Sequence, residues 1–129
     1  MEKFELTSQK GLIICFASIS GKGKPVILRM ALDTGATKTI IPLEAAMSIG
    51  INPAKSNRTT EVTTGSGIVV CPLVFISKFS CFGITRRKFE VVCHSLPFEG
   101  PVDGLLGLNF FKDTKLILDF IKNKIEVIT

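Results

Sequence analysis

The residues with the clearest chemical potential are Asp33-Thr34-Gly35. A nearly unbroken apolar run, Val26 to Leu32, ends in an acid, then a hydroxyl, then a glycine. An acid directly after a buried strand is costly unless it is hydrogen-bonded or has a task. The glycine behind it lets the backbone turn tightly and approach a bound molecule. Two roles fit. In one, Asp33 caps local N–H groups at a strand-end turn. In the other, it is a catalytic carboxylate. One carboxylate alone splits an amide poorly, but two held about 3 Å apart cannot both ionise and share a proton. One is then a base toward water and the other an acid toward the carbonyl oxygen.

The chain carries a single Asp-Thr-Gly. The catalytic reading therefore takes its second acid from another copy, where identical loops meet across a two-fold axis. Asp33, Thr34 and Gly35 are the candidate catalytic residues. A backbone N–H near Gly35 would orient the carboxylate, and the Thr34 hydroxyl would lock one loop against its mate. Ala36 and Thr37, next in the loop, are candidates for substrate binding. Asp103, Asp113 and Asp119 read as turn or surface residues. His94, the sole histidine, has no Ser or Cys nucleophile in a recognisable turn to pair with. It reads as a loop-surface residue and forms no zinc site alone.

Hairpins must carry this turn. Gly11 to Ser20 and Pro25 to Leu32 read as strands joined at Gly21–Lys24 and delivering Asp33. The glycine-lysine turn lacks the phosphate-loop spacing. Thr39 to Pro42 reads as extended and Leu43 to Ile49 as two helical turns, started by Pro42 and ended by Gly50. Asn52 to Asn57 is an expected loop. The threonine-rich Arg58 to Thr64, the tip Gly65-Ser66-Gly67 and Ile68 to Ile76 form a hairpin whose polar arm suits projection from the body. Its tip residues, Gly65, Ser66 and Gly67, are further substrate-binding candidates, since such a hairpin could close over an extended peptide and exclude water. Strands are expected near Ser80–Ile84 and Lys88–Cys93, a loop over 94–101, and a last hairpin from Leu116–Phe120 and Lys124–Ile128. Between them, Leu105-Leu106 is bracketed by Gly104 and Gly107. Phe4 to Ser8 reads as a weak strand or arm. Phe110, Phe111 and Phe120 read as core, and Phe75, Phe79 and Phe82 as core or pocket lining.

The composition sets the class. A chain of 129 residues, 46% apolar, with 10 Phe and neither Trp nor Tyr, has the size of one domain with a real core. Its Val, Ile, Phe and Thr favour sheet over helix. The net charge of +5 is dispersed apart from Arg86-Arg87-Lys88, which reads as a solvated hairpin or loop. No aromatic-interleaved basic face accompanies it, so nucleic acid is not an expected partner. Cys15, Cys71, Cys81 and Cys93 match no zinc spacing and suit thiols in a reducing, cytoplasmic compartment. No apolar run is long enough to span a membrane. The first ten residues are polar and charged, unlike a secretory leader. The chain could be one piece of a longer protein.

The order of these pieces is informative: an apolar strand into Asp-Thr-Gly, a glycine-tipped hairpin about thirty residues on, an apolar-apolar-glycine turn some seventy on. In this order the chain resembles the retropepsin-like aspartic proteases, of the bacterial or cellular type, over nearly its whole length. Asp33-Thr34-Gly35-Ala36 is similar to the catalytic motif, Thr63–Ile68 to the flap, Leu105-Leu106-Gly107 to the motif that packs under the active-site loop, and Asn109-Phe110-Phe111 to a helix start. The resemblance implies one all-β domain over 1–129, a closed antiparallel β-barrel of the acid-protease type with one or two short helices. It also implies a homodimer sharing one cleft, an extended peptide or protein as substrate, and no metal or other cofactor. Retroviral members carry a second acid where Thr37 stands and an arginine where Leu108 stands, so both ends of that polar link are missing here together. The implied activity is an aspartic endopeptidase. The competing expectations are a catalytically inactive peptide-binding or dimerisation module on the same fold, which would hold a peptide as an added strand, and a β-barrel binder of small ligands.

Overall fold

The computed structural model describes residues 2–95 and 100–129. The described residues are mostly β-strand, with one α-helix and two short 3₁₀ turns. The hairpin that delivers the acid is present: β3 (Leu12–Ser20) pairs antiparallel with β4 (Val26–Leu32), from Ile14↔Ala31 to Ile19↔Val26. Alternation along β3 buries Ala17 and Ile19 and turns Phe16 outward. Two strands precede it, β1 (Glu2–Glu5) and β2 (Thr7–Gln9).

After the acid loop come β5 (Ile40–Ile41), the helix α1 (Leu43–Ser48) with Pro42 as its N-cap, and a 3₁₀ turn (Pro53–Lys55) inside the expected loop. The projecting hairpin is β6 (Thr59–Thr64) and β7 (Gly67–Cys81), paired from Thr59↔Pro72 to Thr64↔Gly67, so Gly65-Ser66 is the tip. β8 (Ile84–Cys93) returns along β7. β9 (Gly104–Leu106), a second 3₁₀ turn (Leu108–Phe111), β10 (Lys115–Asp119) and β11 (Lys124–Ile128) complete the order.

Eight strand pairings make this sheet: six close a ring and two attach the edge strands β2 and β6. The order is β2-β3-β4-β9-β5-β8-β7-β6, and the far end of β7 returns to β3 through Ser18↔Ser80, Ile19↔Phe79 and Ser20↔Lys78. The expected all-antiparallel barrel needs correcting: β9 runs parallel to β4, and β5 runs parallel to β8. β9 is thus inserted between the strands before and after the acid loop, meeting β5 at Ile40↔Leu105. Parallel neighbours need long crossovers, so a hairpin-by-hairpin reading of the sequence does not reach them. A separate sheet, β1-β11-β10, packs on one side.

The main core fills the ring from β3, β4, β7 and β8, with Ile19, Met30, Ile76, Phe79, Val91 and Phe110 under 2% exposed. Phe79 stacks on Phe89 and Phe110 at 5.0 and 5.5 Å between centroids, arrangements that add to their burial. A smaller cluster, Ile40, Cys71, Leu73 and Val92 with Val62 and Leu105, lies under the β6–β7 hairpin. Adjacent residues of β7 serve both: Leu73 enters the small cluster and Val74 the main core.

Three expectations differ from the fold. The strand expected at Ser80–Ile84 is cut by a turn at Phe82-Gly83, both in the left-handed region (φ 52° and 74°). Phe is an unusual turn residue, and packing explains it: the ring stacks on Phe4 at 5.2 Å. Phe120 is not core but 65% exposed, beyond the end of β10, where Asp119 Oδ1 accepts from the Ile121 and Lys122 N–H groups. Arg86-Arg87-Lys88 lies inside β8 rather than in a loop. Arg86 is half-buried, with its Nε donating to Phe110 O at 3.0 Å. The loop expected over 94–101 falls partly outside the described residues.

Candidate active site

Asp33 leaves the sheet at the end of β4 and is half-buried. Its N–H donates to Leu106 O at 2.9 Å, which extends the β4–β9 ladder by one bond. Asp33 Oδ1 accepts the Gly35 N–H at 2.9 Å, and Ala36 N–H donates to Asp33 O at 3.1 Å. The loop is therefore an Asx turn that fixes the carboxylate with one oxygen. Among the described residues Asp33 has no ion pair and Oδ2 has no hydrogen bond, so that oxygen is free to face a ligand. The capping and the catalytic readings are thus compatible: one oxygen caps and the other is available.

Main-chain bonds tie the loop to the stretch after β9. Leu108 N–H donates to Ala36 O at 2.8 Å and Asn109 N–H to Thr37 O at 3.1 Å. Thr39 is the one buried polar residue among the described residues, at 0% exposure. Its N–H and hydroxyl both donate to Asn109 Oδ1, at 2.9 and 2.8 Å, and its Oγ1 accepts the Gly107 N–H at 3.1 Å. Asn109 Nδ2 in turn donates to Glu90 O at 2.9 Å. Each member of this buried network is satisfied, the condition under which such a network rigidifies its surroundings. The side-chain link behind the acid loop runs between Thr39 and Asn109, while Thr37 and Leu108 take part through their main chains. Gly107 makes the close approach possible. A Cβ there would sit 2.6 Å from Lys38 C and 2.9 Å from Ala36 O, so any larger residue would push the loop away.

A cleft of about 770 Å³ opens between the acid loop and the β6–β7 hairpin. Asp33, Gly35, Ala36 and Thr37 line it from the loop, and Gly65 and Ser66 from the hairpin tip. Thr34 and Gly67 lie outside its lining; Thr34 is exposed beside it and Gly67 begins β7. The floor is apolar, from Ile40, Val92 and Leu105. Thr64 stiffens the tip: its Oγ1 accepts the Ser66 N–H at 3.2 Å and donates to Gly67 O at 3.0 Å.

Sequence reasoning missed several lining residues. His94, expected on a loop surface, is half-buried in the cleft wall, where its N–H donates to Ile41 O at 2.9 Å. Lys38 and Ser95 also line the cleft. The parallel β5–β8 pairing brings 94–95 beside the acid loop, and no local pattern signals it. The candidate pocket phenylalanines line no part of it: Phe79 is buried, Phe82 half-buried and Phe75 46% exposed on an outer face.

The four thiols are free and buried. Burial pushes Cys71 up, and desolvation, helped by Cys71, pushes Cys93 up to about 12. A hydrogen bond with Cys15, then burial, raises Cys81. Neutral thiols of this kind are poor nucleophiles, and none of the four lines the cleft, where the ionisable side chains beside Asp33 are Lys38, Glu61 and His94. Among the described residues no cluster of His, Cys, Asp and Glu could hold a metal ion, and no helix is long and apolar enough to cross a membrane.

A family model described as aspartyl protease matches residues 17–110, from the delivering hairpin through Phe110. The chain belongs to the aspartyl protease family. The solved structure of a retropepsin-like aspartic protease from Rickettsia conorii superposes on this family member with a TM-score of 0.73, covering 98% of this chain and 89% of that one at 16% identity, which shows a shared fold. A curated relative from Sinorhizobium sp., described as an uncharacterized protein in the cobV 5′ region, is 29% identical over 102 residues. That alignment covers 78% of this family member but only 41% of the relative's own length.

Proposed function

We propose that this protein is an aspartic endopeptidase whose active unit is a homodimer, with Asp33 of each copy forming the catalytic pair. The observation that carries this reading is Asp33 itself: held by the Gly35 N–H through one oxygen, free of any cation among the described residues, and lining a cleft sized for an extended peptide. One chain supplies half of the carboxylate pair, and family membership points to the other half in a second copy.

The chemistry follows from two carboxyl groups sharing one proton. The ionised one takes a proton from water as the water oxygen attacks the carbonyl carbon, and the protonated one donates to the carbonyl oxygen. The tetrahedral intermediate collapses with proton transfer to the leaving nitrogen, which breaks the C–N bond and restores the shared proton. Gly35 and Ala36 fix the loop, the Thr34 hydroxyl is exposed for contact with the mate, and Thr37, Gly65 and Ser66 contact the peptide main chain. The apolar floor from Ile40, Val92 and Leu105 accepts side chains next to the scissile bond.

A peptide-library digest tests this reading. Cleavage is expected between about pH 4 and 7, because the pair works singly protonated, and a statine-type inhibitor blocks it. A protein that binds library peptides yet leaves all of them intact would instead be the peptide-holding module.

A further inference from the structure

One surface feature is not used by the chemistry above. On the outer face where β7 and β8 pair through Phe75↔Glu90, charged and aromatic side chains form a connected strip. Lys38, which lines the cleft, places Nζ 3.0 Å from Glu90 Oε1. The other oxygen of Glu90 pairs with Arg58, which is half-exposed. The Arg58 guanidinium lies 5.5 Å from the centre of the Phe75 ring, and Lys88 Nζ lies 5.9 Å from the same ring. The strip thus runs from the cleft to the side of the molecule. Lys38 and Arg58 share the one Glu90 carboxylate while Lys88 rests on the Phe75 ring, so three cations face one anion and the strip stays positive after its internal pairing.

The geometry is held. Glu90 is fixed by its place in β8, and its main-chain oxygen accepts Asn109 Nδ2 from the network behind the acid loop. Leu73 N–H donates to Arg58 O at 2.9 Å, which places Arg58 beside β7. Phe75 gives both outer cations an apolar, electron-rich face to rest on. A peptide leaving the cleft past Lys38 meets Arg58 and then Lys88. We propose that this strip is a docking surface for acidic side chains of the substrate, and that the protein therefore prefers peptides with glutamate or aspartate flanking an apolar scissile pair. The inference rests on the peptide-cleft reading above but reads out in binding rather than cleavage.

The test uses Asp33→Asn protein, which holds peptide without cutting it. Three peptides share one apolar centre and carry three glutamates, three serines or three lysines on each side. The glutamate peptide is expected to bind about tenfold tighter than the serine peptide, from two or three exposed charge contacts. The lysine peptide should bind most weakly. High salt should erase the order, since exposed charges are screened within about 10 Å at 0.1 M ionic strength. Arg58→Glu/Lys88→Glu, introduced on the same background, should reverse it. Equal affinities, no binding of the glutamate peptide, or tighter binding of the lysine peptide would overturn the proposal. Failure of the unsubstituted protein to cut peptides that do bind in this order would count against the proteolytic reading and leave the strip standing.

Discussion

Asp33→Asn is expected to abolish peptide cleavage while leaving the fold intact. The substitution keeps the Oδ1 acceptor for the Gly35 N–H, so the turn that presents the side chain survives. It removes the group that takes up and returns the proton. General acid–base catalysis contributes about 10²–10⁴-fold, and an amide in place of either carboxyl removes both directions of transfer. Cleavage should fall by at least about 10³-fold, while the urea midpoint changes little because the residue is half-buried and has no ion pair among the described residues. Steady-state cleavage of one good substrate and a denaturation curve check the two halves together. Retained activity would place the chemistry elsewhere in the chain.

Asn109→Ala is expected to have the largest effect on stability. It leaves the Thr39 N–H and hydroxyl without their acceptor and Glu90 O without its donor, all in a part-buried network. Each orphaned buried group costs about 1–3 kcal/mol, so with three groups left short a loss of at least about 3 kcal/mol is expected. Activity should fall as well at temperatures where the variant is still folded. The same network carries Gly107 N–H through Thr39, and Gly107 packs on Lys38 and Ala36 in the acid loop. Asn109→Asp keeps the acceptor and loses the Nδ2 donor, so it should recover part of both losses. Denaturant midpoints and kcat for the three proteins check this. Full activity in a folded Asn109→Ala protein would show that the acid loop holds its shape without the network.

The parts of the site legible in the sequence were those set by neighbours along the chain. The apolar run into Asp33, the Gly65-Ser66 tip and the helix after Pro42 each combine hydrophobic pattern with turn or cap chemistry. Leu105-Leu106-Gly107 stood out by composition, but its place between β4 and β5 did not, since parallel pairing across some seventy residues leaves no local mark. His94 follows the same logic: it reaches the cleft through the pairing of β5 with the distant β8, whereas Lys38 lies there because it directly follows Thr37 in the acid loop. Thr39 and Asn109 are ordinary polar residues until the fold buries them together. Phe82 in a left-handed turn and Phe120 at an exposed tip run against residue preference, the first because Phe4 packs on it and the second because Asp119 caps the turn before it. Arg86 reads as one of three solvated cations, yet it closes the 3₁₀ turn at Phe110, leaving Lys88 to the outer face.

The claim that one cleft is shared between two Asp33 residues is tested most directly by mixing. Unsubstituted and Asp33→Asn chains are combined in varied proportion at constant total concentration, allowed to exchange, and assayed for cleavage. If each active unit needs two intact carboxylates from two copies, activity falls as the square of the unsubstituted fraction, to about a quarter in an equal mixture. A linear fall, to about a half, would mean that each chain carries a complete site and would contradict the shared pair.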